Sequence, residues 1–274
     1  ARSATLGFEQ DKLSFAVYRT LVDAVDAEVK WEGKSDIVES LRVIKDAGEI
    51  DRIRASIAVA ERGFRSMVAK LTGKWTELQV AHELESIMRG LGASGVSFEP
   101  IVGAEPYGAL CHYRPGPVSL SDTKSLLIDW GAFLDGYASD LTRTLSTHQP
   151  GGKFSTAYEI VLQAQLTAIE AIRPGIATSE VDQAARQVIE SAGLGDAFKH
   201  GLGHGIGLEI HESPRLSAIS SEILREGMVV TVEPGVYFEG EFGIRIEDDV
   251  LVTAEGCEVL SSLPKGLDDC RLML

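Results

Sequence analysis

The sequence carries two pairs of acidic residues that flank predicted turns. In the segment LLIDWGAFLDGYASDLTRTL, Asp129 and Asp140 stand on either side of a turn between runs of strand-forming residues. A two-residue turn at Leu134-Asp135 would place Asp129 directly opposite Asp140 in a hairpin. A turn at Asp135-Gly136 would instead pair Asp129 with Thr142, with Asp140 two positions further along. Because side chains alternate along a strand, both carboxylates share one face in either register.

The second pair consists of Glu233 and Glu247, in TVEPGVY and GIRIEDD, on either side of a predicted turn at Gly240. A three- or five-residue loop centred on Gly240 would set the two glutamates opposite one another, with Arg245 on the same face. Taken alone, this hairpin is explained equally well as a surface glutamate pair neutralised by Arg245. Two such hairpins in one chain favour another interpretation, because four converging carboxylates match divalent cations that prefer oxygen ligands.

Histidines are concentrated beside these acids. Three of the six histidines, His200, His204 and His211, fall within twelve positions in HGLGHGIGLEIH, and His112 precedes the first acidic hairpin. Each of them alone is explained by a hydrogen-bonded core histidine. One imidazole with four carboxylates could, however, bind two metal ions as two-metal hydrolytic sites do, which would leave the other histidines to hydrogen-bond a substrate.

The elements that must position these residues follow from the hydrophobic periodicity. Residues 1–45 contain two strand-like runs, LGFE and AEVKW, around a helical pattern at 11–25. The segments 95–146 and 201–274 are rich in strand formers and turn residues. The order of helices, strands, helices and strands predicts an α+β domain of two similar halves, with helices outside a curved antiparallel sheet. The four further helices are predicted at 47–71, 76–91, 155–173 and 179–192.

Composition excludes several classes of protein. The 274 residues include 26 basic and 41 acidic side chains, and the net charge of −15 argues against nucleic acid or an anionic membrane surface as a partner. No window approaches about 18 consecutive apolar residues, so no membrane-spanning helix is predicted. The first residues, ARSATLGFEQ, lack the features of a secretory signal. The three cysteines, Cys111, Cys257 and Cys270, are too scattered for a disulfide framework, and a reducing, cytoplasmic setting is the expectation.

Four motifs together resemble a known family. IDWGAFLDGYASDLTRT, HGLGHGIGLEIHESP, TVEPGVY and GIRIEDD are similar to the dinuclear-metal peptidases of the pita-bread fold, which include methionine aminopeptidase, aminopeptidase P, prolidase and creatinase. The resemblance covers the chain from about residue 44 onward, with the motifs in the order and spacing of the family. It implies five metal ligands, with Asp140 and Glu247 bridging two ions, Asp129 on one ion, and His204 and Glu233 on the other.

Within the family, the residues favour the proline-specific branch. His200 and the run at 245–248 occur in prolidase and aminopeptidase P, whereas methionine aminopeptidases generally lack both. Creatinase uses the same fold without metal and lacks the full ligand set. The resemblance therefore implies hydrolysis of the bond before proline in Xaa-Pro dipeptides. Aminopeptidase P activity on longer peptides is the alternative, and a non-catalytic binding module of the same fold is a third, against which the intact ligand set argues.

Hypotheses for the cofactor and the remaining residues follow from this resemblance and from the chemistry. Two divalent ions are expected, with Mn²⁺ favoured and Co²⁺ or Zn²⁺ as alternatives, since one imidazole among oxygen ligands does not select a single metal. Glu233 would act as general base and then as general acid. The other roles are hydrogen-bond donation to the substrate carbonyl by His211 and His112, shaping of the proline pocket by His200 and Arg245, and pairing of Arg215 with the free carboxylate of a dipeptide.

The N-terminal segment departs from the family pattern. Members of the proline-specific branch carry a complete α/β domain before the catalytic domain, and residues 1–45 match only its last strand, helix and strand. We therefore predict a remnant of that domain plus a linker at 1–45 and the catalytic domain at 46–274. In relatives that domain contacts the substrate and a partner subunit, and residues 1–45 lack most of it, so these contacts are not expected to carry over in full. A homodimer is an expectation for the assembly. The expected binding partner is an Xaa-Pro dipeptide or short peptide.

Overall fold

The computed structural model describes residues 4–25, 28–146 and 150–271, and the chain divides into two compact units, Ala1–Arg42 and Val43–Leu274. This boundary lies three residues before the predicted division after residue 45. The interpretation of residues 1–45 as a domain remnant stays a prediction. Residue 27, where the predicted strand AEVKW begins, lies outside the described residues. Within the described ranges, none of the helices is both long enough and apolar enough to span a membrane.

The N-terminal unit has the predicted order of strand, helix and strand, followed by a short helix. Its elements are β1 (Ala4–Glu9), α1 (Phe15–Ala24), β2 (Val29–Lys34) and α2 (Ile37–Arg42). The two strands are parallel, with Ala4 opposite Val29, and α1 forms the connection that a parallel pair requires. The helix begins later than the predicted residue 11 because Ser14 caps it by accepting a hydrogen bond from the Val17 amide.

The second unit contains four long helices close to the predicted bounds. They are α3 (Ala47–Val68), α4 (Glu77–Gly90), α5 (Gly152–Ala171) and α6 (Thr178–Ser191). The starts of α3 and α4 are set by capping boxes, in which Asp46 pairs with Glu49 and Thr76 pairs with Gln79. The helices pack in pairs, α3 against α4 and α5 against α6, which matches the two predicted halves.

The strands of the second unit form antiparallel ladders. They are β3 (Gly95–Val96), β4 (Ile101–Ala104), β5 (Ser125–Trp130), β6 (Ala132–Leu134), β7 (Tyr137–Ala138), β8 (Leu141–Ser146), β9 (Gly203–Gly205), β10 (Glu212–Leu216), β11 (Val229–Val232), β12 (Gly235–Phe238), β13 (Phe242–Arg245), β14 (Asp248–Val252) and β15 (Cys257–Val259). The sheet orders are β4-β5-β8 and β3-β6-β7 in the first half, and β10-β9-β11-β14-β15 and β12-β13 in the second. An antiparallel bridge between Thr142 and Glu247 joins the halves. The predicted α+β class is confirmed.

The ladders are interrupted at three of the predicted acidic residues. Asp140 lies between β7 and β8, Glu233 between β11 and β12, and Glu247 between β13 and β14. Pro234 follows Glu233 and has no N–H to contribute to a ladder. The pairing register is the same on both sides of Asp140, so this break interrupts the hydrogen bonds without shifting the alternation of side chains.

A stack of aromatic rings joins α3 to the sheet of the first half. The rings of Trp130 and Phe64 lie 4.3 Å apart and nearly parallel, and Trp130 is fully buried. Its indole N–H donates to the Ala60 carbonyl at 3.1 Å, which satisfies the polar atom inside the core. The strand that carries Asp129 is therefore anchored one residue beyond that carboxylate.

The first acidic hairpin adopts one of the two registers that the sequence allows. Asp129 pairs with Thr142, and the turn lies at Asp135-Gly136. Both turn residues have positive φ, 49° at Asp135 and 86° at Gly136, as a two-residue turn of the type I′ class requires. Asp140 accordingly lies two positions from the residue opposite Asp129, as that register predicts.

The register of the second hairpin also matches its prediction. Gly235 pairs with Arg245 and Phe238 with Phe242, which leaves a three-residue loop at 239–241 centred on Gly240. The same register, continued past the strand ends, sets Glu233 against Glu247.

Gly131 lies between β5 and β6, where the structure leaves no room for a side chain. A Cβ atom there would overlap the Ser139 carbonyl and the Ser97 hydroxyl. We expect Gly131→Ala to lower the free energy of unfolding by about 1–3 kcal/mol, because the backbone at Ser139 would have to move. Urea unfolding measures this change, with Gly256→Ala as the control, since a Cβ at Gly256 meets no atom within 4 Å. Equal stability of the two variants would contradict the close approach.

Candidate metal centre

One pocket of about 450 Å³ gathers all the residues that the sequence singled out for chemistry. It lies in the second unit and receives side chains from both halves. The structure therefore brings these residues together, whereas their individual roles stay predictions. They are Asp129, Asp140, His204, Glu233, Glu247, His112, His200, His211, Arg215 and Arg245.

The acidic residues and one histidine converge at the inner end of this pocket. One side-chain ligand atom from each of Asp140, His204 and Glu247 lies within 4.8 Å of the others. The His204 Nε2 atom is 3.6 Å from Asp140 Oδ2 and 3.7 Å from Glu233 Oε1. The Oδ1 atom of Asp129 is buried and has no hydrogen-bond partner. A buried carboxylate oxygen without a partner is costly, which points to a ligand that it would contact.

The protonation state of His204 suits its ring to metal binding rather than to ion pairing. Its Nδ1 atom lies 3.0 Å from the Gly205 carbonyl, which can only accept, so Nδ1 carries the proton. Burial lowers the pKa of His204 to about 4, so the ring is neutral at pH 7. The Nε2 lone pair then faces carboxylate oxygens, and that arrangement is repulsive unless a cation or a proton lies between them.

The carboxylates repel one another in the absence of a cation. Burial, and then the charge of the neighbouring carboxylates, raise the pKa of Asp140 and of Glu247 well above the usual range. Burial raises the pKa of Glu233 to about 8, with Arg245 opposing the effect and Asp129 adding to it. Four carboxylates with one neutral imidazole are a donor set suited to divalent ions with a preference for oxygen. The residues present therefore fit divalent metal ions.

Hydrogen bonds from the opposite half orient the carboxylates. The Thr142 hydroxyl donates to Glu247 at 2.6 Å, across the bridge that joins the two halves. Arg245 donates to Asp129 at 2.5 Å and to the Thr142 hydroxyl at 3.1 Å. Sequence reasoning included Thr142 only as a possible partner of Asp129. Its contact with Glu247 depends on packing between the halves, which the local pattern does not contain.

The two aspartates after Glu247 contact the backbone and side chains next to the carboxylate cluster. Asp249 accepts a hydrogen bond from the Asp140 amide at 3.1 Å and so fixes the backbone of that residue. Asp248 pairs with Arg143 at 2.8 Å and with Lys265 at 2.6 Å. Although burial acts to raise the pKa of Asp248, Arg143 and Lys265 hold it at about 2, and the group stays ionised.

Tyr237 is a residue that sequence reasoning missed, and it contacts two residues that line the pocket, His200 and Arg245. Its hydroxyl accepts a hydrogen bond from Arg245 at 2.6 Å, so its own proton is directed to His200 Nε2 at 2.9 Å. The Nδ1 atom of His200 then donates to the Gly201 carbonyl at 2.8 Å. Both ring nitrogens of His200 are thus hydrogen-bonded within the protein. The ring can therefore contact a substrate through its faces and carbon atoms but has no N–H group left to donate. The register that pairs Gly235 with Arg245 could have revealed Tyr237, because residues two apart on a strand share a face.

Three other candidate residues are exposed at the pocket mouth, where a substrate can reach them. These are His112, His211 and Arg215. The His211 ring stands edge-on to His204, with 4.3 Å between the centroids. Burial, and then the charge of Arg215, lower the pKa of His211. The three side chains therefore combine access to solvent with proximity to the carboxylate cluster.

A buried ion pair holds the segment that carries His211. Lys45 contacts the carboxylate of Glu212 at 3.0 Å, and the two side chains are only 2% and 6% exposed. Glu212 follows His211 directly, and its other oxygen accepts a hydrogen bond from the Glu209 amide at 3.1 Å. The pair thus links the start of the second unit to the loop at 206–211.

Comparison with known proteins gives consistent results. The model of metallopeptidase family M24 matches residues 51–254. The Xaa-Pro dipeptidase of Pyrococcus furiosus is 36% identical over 263 residues, which cover 96% of this chain and 75% of that protein. A solved structure of the Xaa-Pro dipeptidase from Bacillus anthracis superposes with a TM-score of 0.94 at 39% identity, covering 99% of this chain and 75% of that one. The X-Pro aminopeptidase from Thermotoga maritima MSB8 gives a TM-score of 0.93 at 37% identity, with 99% and 76% covered.

These similarities identify both the fold and the family of the chain. The similarity to these solved structures confirms the pita-bread fold that the motifs implied. The chain spans about three quarters of the length of each of these proteins. The matched family segment contains the five candidate ligands, whose donor types fit divalent metal ions. On this evidence the chain belongs to metallopeptidase family M24.

Proposed function

We propose that this protein is a dinuclear metal-dependent Xaa-Pro dipeptidase, which hydrolyses the peptide bond before proline. The observation that carries the proposal is the pocket in which four carboxylates and one neutral imidazole converge behind exposed histidine and arginine side chains. The names of the relatives, Xaa-Pro dipeptidase and X-Pro aminopeptidase, support the choice of substrate.

The five candidate ligands would hold two divalent cations. We favour Mn²⁺, because four oxygen-donor groups outnumber a single imidazole. Bound cations of this kind lower the pKa of water and polarise a carbonyl group. We assign the ligand set to Asp129, Asp140, His204, Glu233 and Glu247, all within a catalytic domain at residues 46–274.

Proton transfer would fall to Glu233. The bond before proline is a tertiary amide, so its nitrogen must gain a proton before it can leave. Glu233 lies at the edge of the carboxylate cluster, and its side chain keeps 20% exposure to the pocket, more than that of Asp129 or Asp140. It can therefore take a proton from water and deliver it to the amide nitrogen.

The other pocket residues would bind and orient the substrate. His112 and His211, both exposed, would donate hydrogen bonds to the carbonyl oxygen as negative charge develops there. The ring of His200, held by Tyr237, would form a wall against the proline ring. Arg215 at the mouth would pair with the free carboxylate of a dipeptide.

Aminopeptidase P activity is the second candidate. The likeness to the X-Pro aminopeptidase from Thermotoga maritima favours it, as does a pocket of about 450 Å³ that opens to solvent beside Arg215. The two activities differ in whether the proline of the substrate may be followed by further residues. Formation of a homodimer stays a prediction.

Hydrolysis of Ala-Pro and Ala-Pro-Ala by the metal-loaded protein distinguishes these activities. We expect release of free proline from Ala-Pro at a kcat/KM at least about tenfold above that for Ala-Pro-Ala, since the tripeptide lacks a carboxylate next to Arg215. Chromatography of the products, with metal content measured by plasma spectrometry, provides the readout. A reversed preference would support aminopeptidase P, and cleavage of neither peptide would contradict the proposed function.

Replacement of Arg215 tests the assigned carboxylate contact. We expect Arg215→Met to raise KM for Ala-Pro by roughly tenfold to a hundredfold, the usual range for a lost charged hydrogen bond. Cleavage of Ala-Pro-amide, which has no carboxylate, should change little. The matched control is Arg114→Met, which removes another exposed arginine of the same pocket. Equal losses on both substrates would contradict the assignment.

The metal-free protein should become less stable as pH rises. Because the pKa of Glu233 is raised to about 8, and those of Asp140 and Glu247 are also raised, the folded state holds protons that the unfolded state releases above pH of about 4. The lowered pKa values of His200, His204 and His211 oppose this effect, but only below pH of about 6.5, where the unfolded histidines are protonated. We therefore expect Tm in EDTA to fall between pH of about 6.5 and 8, and saturating Mn²⁺ to abolish the fall. Scanning calorimetry provides the measurement. A metal-free Tm that does not decrease would contradict the charge repulsion.

A further inference from the structure

The loop that carries His112 has little regular structure of its own. It connects β4 to β5 and contains one short 3₁₀ turn, Tyr107–Ala109. Such a segment cannot fix the direction of a side chain through a ladder or a helix. The place of His112 in the pocket must therefore depend on contacts between the loop and neighbouring elements.

Glu77, in the first turn of α4, makes three such contacts. One carboxylate oxygen accepts a hydrogen bond from the Ala104 amide at 2.8 Å. The other accepts from the Gly116 amide at 3.0 Å and from the Tyr113 hydroxyl at 2.8 Å. Glu77 is completely buried, so each contact is made away from water. A single side chain thus ties together the end of β4, the middle of the loop at Gly116 and Tyr113, the residue after His112.

The capping of α4 does not require this carboxylate. Thr76 and Gln79 already form the capping box of the helix. The side chain of Glu77 instead extends into the loop, where it makes its hydrogen bonds. Burial raises the pKa of Glu77, whereas its hydrogen bonds with Gly116, Ala104 and Tyr113 oppose the rise.

Tyr113 is held in place on both its ring and its hydroxyl, and this restricts the backbone of the preceding residue, His112. Its ring stacks on Tyr107 with 5.1 Å between centroids, so the ring position is fixed as well as the hydroxyl. A Cβ at residue 116 would lie 3.1 Å from the Tyr113 hydroxyl, and glycine at this position allows the close approach. Burial, and then the hydrogen bond to Glu77, raise the pKa of Tyr113, so the phenol remains a donor.

We propose that Glu77 is a positioning residue that holds His112 in the pocket through Tyr113 and the loop backbone. The role of His112 itself rests on the function proposed above. A carboxylate suits this position because all three neighbours are donors. A glutamine would direct its amide N–H₂ group at one or more of them and would release part of the loop.

A double-mutant cycle tests this coupling. We expect Glu77→Gln and Tyr113→Phe each to lower kcat/KM for Ala-Pro by about tenfold or more, mainly through kcat, since small misplacements of catalytic groups have large effects. In a His112→Ala background the same changes should cost less than about twofold, with metal content unchanged throughout. If Glu77→Gln and Tyr113→Phe lower kcat/KM by the same factor in the His112→Ala background as in the wild type, the proposal is overturned. The control is Glu83→Gln, which affects an ion pair with Lys70 on the outside of the same helix.

Nuclear magnetic resonance of ¹⁵N-labelled histidine provides a readout that does not depend on activity. We expect Glu77→Gln and Tyr113→Phe to shift or broaden the ring signals of His112 and to leave those of His82, an exposed residue on α4, unchanged. Tyr113→Phe retains both backbone contacts of Glu77, so this variant still tests the proposal if Glu77→Gln does not fold. Unchanged His112 signals would overturn the proposal even in an active enzyme. An inactive wild-type protein would instead contradict the proposed function, while the spectra would still decide the role of Glu77.

Discussion

Repulsion among carboxylates that share one pocket is the constraint on which the rest of the structure depends. Asp129, Asp140 and Glu247 are buried, and Glu233 lies beside them with most of its surface covered. In a medium of low dielectric such a group is unstable unless protons or cations balance the charge. A neutral imidazole, with its free lone pair turned toward the same point, adds no positive charge. Divalent ions supply that charge, and the fold preserves a place for them.

The surrounding hydrogen bonds hold this unfavourable arrangement in shape. Arg245 lies between the two hairpins and donates to Asp129, to Thr142 and to Tyr237. Thr142 in turn donates to Glu247 at the bridge between the halves. The carboxylates are therefore oriented before any ion binds, which reduces the reorganisation that binding requires.

Much of the site could be predicted because strand alternation is a local rule. It placed Asp129 with Asp140 and Glu233 with Glu247 in any allowed register, and the positive φ of Asp135 and Gly136 explains which register the first hairpin adopts. The helices were predictable from their spacing, and their starts from capping side chains. Contacts between distant segments were not predictable. The contacts of Glu77 with the loop at 105–124 and of Lys45 with Glu212 depend on tertiary packing, and neither pair leaves a pattern in the sequence.

The most direct measurement is anomalous diffraction from crystals equilibrated with Mn²⁺. We expect two peaks separated by about 3.5–4 Å, the spacing of two-metal hydrolytic sites. Both should lie among the carboxylates, with His204 Nε2 in contact with one of them and the buried Oδ1 atom of Asp129 in contact with the other. Peaks confined to surface acids, or a pocket in which these side chains turn away from the bound ions, would contradict the assignment of this pocket as a metal centre.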